Sequence, residues 1–571
     1  MKKELKEQAD SILWGFALRS YPPGEKPRIH IRFGRIGLFF LGLLVIGWLS
    51  VAGALYFYFK KGIRFDAAGI GVREHGTNLA WDEVTYGKMI ALPFRMDAHR
   101  RELGDFYLRR AESSIEEKNF GEALDLLRLG VTLSPTNLRG RRILSEFFDY
   151  GFKQPDDAAD ILVSGVKYGG YKDADYMSHV YRFLLNHEYD ERIIELGEDL
   201  LKEDVEMDKV SRVTALATAT AFYNLYKFDR AQEYIKKYEL TKVPEGNILL
   251  AQMHWQRGEI EEAITLLDRT SAQFPNAAQI FSRISDFLLD AGDPKRALRT
   301  IVLAQVSNPA SLELAVKVLQ RLHDEERMER LDNSFADVLE NFATNRNSCL
   351  TIAATMADLG LPEHCEKVKA KADQLNIEDP RLSLAILKAK LLHGDDAEAQ
   401  TLAEGLLTEA DSWKVGYQKT LVLCMKALAH FGQDDNEIGN NLLRDLFKTE
   451  IILPPDDEIH AMAQLFQQRG FPVQTRKLLI FGRKKYPFYR PILEDIVRQD
   501  LETGNFVSLP KSIRDLLGVK RKNSKLLMEC RNKLASDYFL FVPEQRDLLD
   551  SLANSLRKIQ EQGALPKTSE I

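Results

Sequence analysis

Eleven histidines and four cysteines are the residues best able to hold a metal or attack a substrate, and their spacing forms no ligand or nucleophile pattern. Cys349, Cys365, Cys424 and Cys530 include no CxxC pair, and the histidines form no HExxH. A four-cysteine zinc ribbon and a helix-borne metalloprotease site both need those spacings. His364-Cys365 is the one adjacent pair of soft ligands, inside LPEHCEK at a helix start. A metal would need two further ligands, and none is nearby in sequence, so the cysteines read as isolated buried thiols. The stretch from Gly69 to Gly76 (GIGVREHG) lacks the Lys-Ser/Thr pair of a phosphate-binding loop and the GxGxxG spacing. Asp434-Asp435-Asn436-Glu437 and Asp456-Asp457-Glu458 lack the alternating ligands and glycine of a calcium loop. They suit helix starts, where carboxylates meet the positive end of the backbone dipole. No GxSxG or kinase signature occurs. The expectation is a protein that is not an enzyme, with no cofactor and no metal. The alternative is an enzyme or accessory domain without a local signature, hidden in the helical region after residue 346.

The elements that would carry any function are written in a repeated grammar. Residues 258–275 read GEIEEAITLLDRTSAQFP, 292–309 read GDPKRALRTIVLAQVSNP, and 118–135 read KNFGEALDLLRLGVTLSP. Each has a turn, an alanine in the sixth place, apolar residues at helical spacing and a closing proline. The closing prolines 275 and 309 lie 34 residues apart, a period typical of stacked helix pairs. Composition fits such a chain: it is 45% apolar and 28% charged, and its net charge of −6 over 571 residues leaves no electrostatic footprint for nucleic acid.

On that frame, the unit starting near Gly104 places Tyr107, Ala111, Phe120, Ala123, Leu127, Gly130 and Pro135. These residues resemble the small and large positions of the tetratricopeptide-repeat family. Further units begin near Arg139, Asp173, Arg212, Pro244 and Ala278. Helices can approach to the lower end of 8–10 Å only where facing residues are small. Ala111, Ala219 and Ala251 would meet that need in first helices, and Ala123, Ala231, Ala263 and Ala297 in second helices. Glu146, Val180 and Ser285 depart from the small-residue pattern, Arg192 replaces a second-helix alanine, and these units should be tilted or looser. Beyond Pro309 the signature fades, but helix-sized apolar periods continue between breaks at Gly360-Leu361-Pro362, Gly394-Asp395-Asp396, Pro454-Pro455 and Gly470-Phe471-Pro472.

Ahead of the repeats, residues 36–59 carry no charge, and a helix of that length covers the roughly 30 Å hydrocarbon layer with some tilt. Tyr56 and Tyr58 suit an interfacial belt, and Lys60-Lys61 stop the segment. Ala52-Gly53-Ala54 resembles a cleavage site, but the apolar run is long for a signal peptide, so an uncleaved single-pass anchor is expected. Lys2, Lys3, Lys6, Arg19, Lys26, Arg28, Arg32 and Arg35 precede the span, against Lys60, Lys61, Arg64 and Arg73 after it. That excess favours a cytoplasmic N-terminus, and the chain has no Asn-x-Ser/Thr acceptor. The expected location is a bacterial inner membrane with the repeats in the periplasm.

The expected fold class is therefore all-α, one transmembrane helix followed by an α-solenoid of helical hairpins. Residues 1–35 form a basic segment whose part from Lys3 to Leu18 makes a short amphipathic helix. Residues 36–59 are the span, 60–100 a juxtamembrane connector, 101–310 the repeat array and 311–504 degenerate repeats. Residues 505–571 are a C-terminal helical cap and tail, whose basic run from Lys511 to Lys533 reads as a solvated face. The resemblance implies a membrane-tethered scaffold that holds a protein or peptide in a concave groove lined by first helices. In this register Tyr223, Asn224, Gln252, Trp255, Gln256, Asp286 and Asp290 line it, with Trp255 the strongest anchor because aromatic side chains dominate binding energy. The partners implied are that protein or peptide and a lipid bilayer around Ile36 to Phe59, with no nucleic acid.

Overall fold

Each hairpin turns on one residue in the left-handed backbone region, followed by a helix start. Lys118, Gly258 and Gly292, the first residues of the three matching stretches, have φ of 62°, 82° and 81°. Behind them Asn119 accepts from the Glu122 backbone N–H and Asp293 from that of Arg296, satisfying donors a helix N-terminus leaves unpaired. The same turn recurs at Lys153, Glu188, Tyr226, Glu326, Gly360, Gly394, Asp434, Gly470 and Gly504, all with positive φ. From Gly258 to Gly394 the spacing is a constant 34 residues. The repeat therefore runs on past Pro309, where its small-residue signature is lost.

The computed structural model describes residues 9–20, 26–61, 63–65, 71–73, 81, 83–201, 208–409, 417–448 and 454–565. It divides into two compact units, Met1–Val180 and Tyr181–Ile571.

In the first unit the helix Phe33–Lys61 covers the expected span and is long and apolar enough to cross a membrane. The expected amphipathic helix from Lys3 to Leu18 is replaced, over its described part, by strands. Ala9–Ile12 pairs antiparallel with Ala17–Ser20, and Ala17–Ser20 with Arg28–Ile31. Leu13 and Gly15 sit at φ 53° and 86° in the connecting turn, a conformation that interrupts a helix. Ile29 and Ile31 alternate with Arg28 and His30 in the period of two that a strand requires. Ile63–Phe65 pairs with Gly71–Arg73, so the connector also contains a short ribbon. The remainder of the glycine-rich stretch from 69 to 76 lies outside the described residues. Met96–Glu116 packs antiparallel on Phe120–Leu133 around Leu108, Ala111, Leu127 and Val131. Leu138–Glu146 then passes into a π-helical turn, Phe147–Gly151, at the departure from the repeat pattern at Glu146.

In the second unit the helix Asp190–Leu200 is followed by hairpins that run from Lys209–Asn224 with Phe228–Lys237 to Arg490–Thr503 with Leu509–Gly518. All seven seam alanines (111, 123, 219, 231, 251, 263 and 297) are fully buried. Part of the stretch between Arg192 and Ala231, residues 202–207, lies outside the described residues. The last helices do more than cap the hairpin before them. Leu509, Ile513, Leu516, Leu527, Leu552 and Leu556 share one core with Leu201, Phe222, Phe228, Ala231 and Met253. The series within this unit is closed on itself, end against beginning. Each fully buried leucine in such a core contributes about 1.5–3 kcal/mol.

Candidate functional site

The first helices Lys209–Asn224, Pro244–Gln256, Ala278–Asp290 and Leu312–Asp324 follow one another through the repeats, and the expected groove residues link them. Asn224 Nδ2 donates to Asp190 Oδ1 at 2.9 Å, in the hairpin before. Gln256 Nε2 donates to Tyr223 Oη at 2.8 Å. The Trp255 ring stacks on Phe287 at 4.2 Å, nearly parallel. Asp286 receives Lys317 Nζ and Arg321 Nη2, each at 2.6 Å. Each of these links joins residues about one repeat apart; the last three form a ladder between neighbouring first helices, and Asn224 ties its helix to the second helix Asp190–Leu200 before it. Gln252 is half-buried and Asp290 exposed.

Burial decides the chemistry of this ladder. It pushes the Tyr223 phenol up to about 12, so the ring stays neutral and acts by hydrogen bonding and stacking, here on Phe228 at 5.3 Å. Ser285, at a position where the family prefers Ala or Gly, is fully buried and accepts from Arg321 Nε at 3.1 Å. The departure is thus satisfied by the arginine that also holds Asp286.

What sequence reasoning missed is that part of this surface is covered by the chain's own C-terminal segment. Tyr226 Oη donates to Lys522 O at 2.5 Å and accepts from Ser524 N at 3.1 Å. Arg257 Nε donates to Gly563 O at 2.7 Å, and Phe228 N to Gln562 O at 3.2 Å. The fully buried Asp190 carboxylate receives Arg521, and Lys520 lies over the Tyr189 ring at 4.9 Å. Within the basic run expected to be solvated, Lys511, Arg514, Lys520 and Lys525 are exposed, while Arg521 is mostly enclosed and supplies the clasp. Gln256 borders a cleft of about 420 Å³ against Ser524, Lys525, Met528, Glu529 and Lys533. No local signal announces this, because the partners lie some 300 residues apart.

The chemistry-bearing residues named from sequence have structural partners. His364 Nε2 is 2.9 Å from Asp332 Oδ1, and its ring meets Phe335 edge-on at 4.5 Å. Cys365 is buried against Ala353 O at 3.5 Å. Asp456, Asp457 and Glu458 occupy the first turn of Asp456–Gln468, and Asp434 is a left-handed turn residue. Among the described residues no three His, Cys, Asp or Glu side chains are grouped to hold a metal ion.

No family model matches the sequence, and no curated protein matches it. Among solved structures the chain is similar to a tetratricopeptide repeat protein from Parabacteroides merdae, with 11% identity over 45% of this chain and 97% of that one, at TM-score 0.27. It is also similar to yeast Tom70, with 12% identity over 83% of this chain and 94% of that one, at TM-score 0.29. A third is the Cut9–Hcn1 assembly of APC/C, with 13% identity over 80% and 87% of the two chains, at TM-score 0.27. Overlays this loose add nothing to the hairpin series itself. The turn spacing and the buried alanine seams define the architecture as a stack of helical hairpins resembling the tetratricopeptide repeat.

Proposed function

We propose that the protein is a membrane-tethered, non-catalytic scaffold that holds a protein or peptide partner against its first helices. One observation carries this reading: a row of first helices, knitted by Tyr223, Gln256, Trp255 and Asp286, with Asp290 exposed at its edge. A rigid row of this kind presents preorganised side chains at low entropic cost. The apolar helix Phe33–Lys61 supports the tether. The excess of basic residues before it supports a cytoplasmic N-terminus with the repeats in the periplasm of a bacterial inner membrane.

The test is photo-crosslinking in intact membranes, with the crosslinker at Gln252 or Asp290 and, as control, at the exposed second-helix residue Glu261. One partner trapped from the first-helix positions and not from Glu261 supports the groove; equal capture from all three overturns it. Trp255→Phe keeps a ring against Phe287 and should retain capture, whereas Trp255→Ala should lose it. A phosphatase fused to the C-terminus should be active if the repeats are exported.

A further inference from the structure

The helix Phe33–Lys61 is sheathed along only part of its length. Up to Val51 its apolar side chains face outward, with Leu44 71% and Val51 61% exposed. From Ala52, which is 2% exposed, Leu55, Tyr56 and Phe59 pack with Trp81, Val84, Met89 and Phe106. The collar is bonded to the helix backbone: Tyr86 Oη donates to Leu49 O and Trp81 N to Phe59 O, both at 2.9 Å. Trp48 Nε1 donates to Ile90 O at 2.9 Å, and its ring stacks on Phe94 at 5.8 Å. In the same collar Lys88 and Arg95 both bind Glu102.

That cluster limits where a bilayer can lie. If residues 36–59 were the span, the level of Trp48 would be its centre, and three charges on the neighbouring collar would sit in hydrocarbon. Charged side chains there are costly and rare. The charge-free bare run from Ile36 to Val51 covers about 24 Å as a helix, most of the hydrocarbon thickness, with Arg35 at its outer end. It ends among Trp48, Tyr86 and Phe94, ring types that favour the membrane interface. Phe94 and Met96 are 84% and 61% exposed, and Arg100 and Arg101, also exposed, follow within two helical turns.

Resting on the membrane-tether reading above, we propose that residues 86–101 sit on an anionic lipid surface, with Phe94 and Met96 inserted at the headgroup boundary. Residues 52–61 then belong to the water-side body and not to the span. The test uses the full-length chain in vesicles of phosphatidylcholine and phosphatidylglycerol. The four native cysteines are buried and leave single introduced thiols as the reporters. An environment-sensitive fluorophore is placed at Leu44→Cys, Phe94→Cys or the exposed Phe57→Cys.

The expected result is quenching at Leu44 by mid-chain spin-labelled lipid, at Phe94 by lipid labelled near the headgroup, and at Phe57 by neither. Mid-chain quenching at Phe57, or an aqueous spectrum at Phe94, would overturn the proposal while leaving the tether intact. An aqueous Leu44, with release of the protein by alkaline carbonate, would instead remove the tether and this inference with it. Arg100→Gln with Arg101→Gln should move the Phe94 emission toward that of water in anionic vesicles; an unchanged spectrum would remove the anionic preference.

Discussion

Arg521 and Asp190, 331 positions apart, form a two-pronged ion pair: Nε lies 2.7 Å from Oδ2 and Nη2 2.8 Å from Oδ1. Asn224 shares the Asp190 carboxylate and Leu185 O accepts a further bond from Arg521, so the buried charge is saturated. The pair fastens the C-terminal helices to the helix Asp190–Leu200, near the start of the second unit.

Removing one partner should cost far more than removing both. Arg521→Ala leaves the Asp190 charge buried with an amide for company, a change expected to cost about 3–5 kcal/mol. Asp190→Asn together with Arg521→Ala should recover a large part of that loss. Urea unfolding of the detergent-solubilised chain measures both. Equal destabilisation by the single and the double variant would show that the pair does not close the structure.

Asp379 should shape the acid limb of stability. Burial works to raise its pKa, but hydrogen bonds from Arg381 and Arg346 prevail and hold it at about 2. A folded-state value below the unfolded one stabilises the native protein above the unfolded pKa, and the gain is lost as pH falls from about 4 to 2. Its size is about 2 kcal/mol. Asp379→Asn keeps a helix-capping oxygen ahead of Pro380–His393 and should lower neutral-pH stability by about that amount. It should also flatten the acid limb. An unchanged pH profile would count against the assignment.

The same small substitution should have opposite signs at two glycines. A Cβ on Gly246 would stand 2.1 Å from Leu240 O, a backbone atom that cannot move aside alone. Gly246→Ala should therefore cost about 1–3 kcal/mol through overpacking. Gly405, inside Asp396–Glu409, has nothing within 4 Å of that position, and Gly405→Ala should add about 0.5–1 kcal/mol. Thermal shifts of the two variants, read side by side, decide it.

The thiols should be silent in the native protein. Burial pushes Cys365, Cys424 and Cys530 up to about 12 and raises Cys349 as well. Thiolate is the reactive form, so maleimide labelling near neutral pH should wait for unfolding and follow the urea transition. Rapid labelling of any one cysteine without denaturant would contradict its burial.

Much of the architecture was legible because it depends on local chemistry. The alanines at 111, 123, 219, 231, 251, 263 and 297 mark seams where two helix backbones meet, and all seven are buried. The breaks after Pro309 were legible too: the helices Pro362–Gln374, Asp396–Glu409, Asp456–Gln468 and Pro472–Lys485 start at or just after the four breaks. The constant period was harder to see, because Glu326 takes a turn position that glycine marks at 258, 292, 360 and 394. The N-terminal strands were not legible, since segments of four residues satisfy either period. The candidate groove was legible only as a set of positions. That Trp255 faces Phe287, and that Tyr226 and Arg257 meet the C-terminal segment, depends on pairings no local pattern encodes.

Open repeat stacks can start folding at any point and grow by nearest-neighbour contacts. Here Phe222, Phe228 and Met253 share a core with Leu527, Leu552 and Leu556. During synthesis those early hairpins emerge with one side bare and stay so until the segment from Leu527 to Leu556, some 300 positions later, has left the ribosome. Their maturation is tied to that distant segment, which gives a modular array the slow, long-range folding step of a non-modular domain.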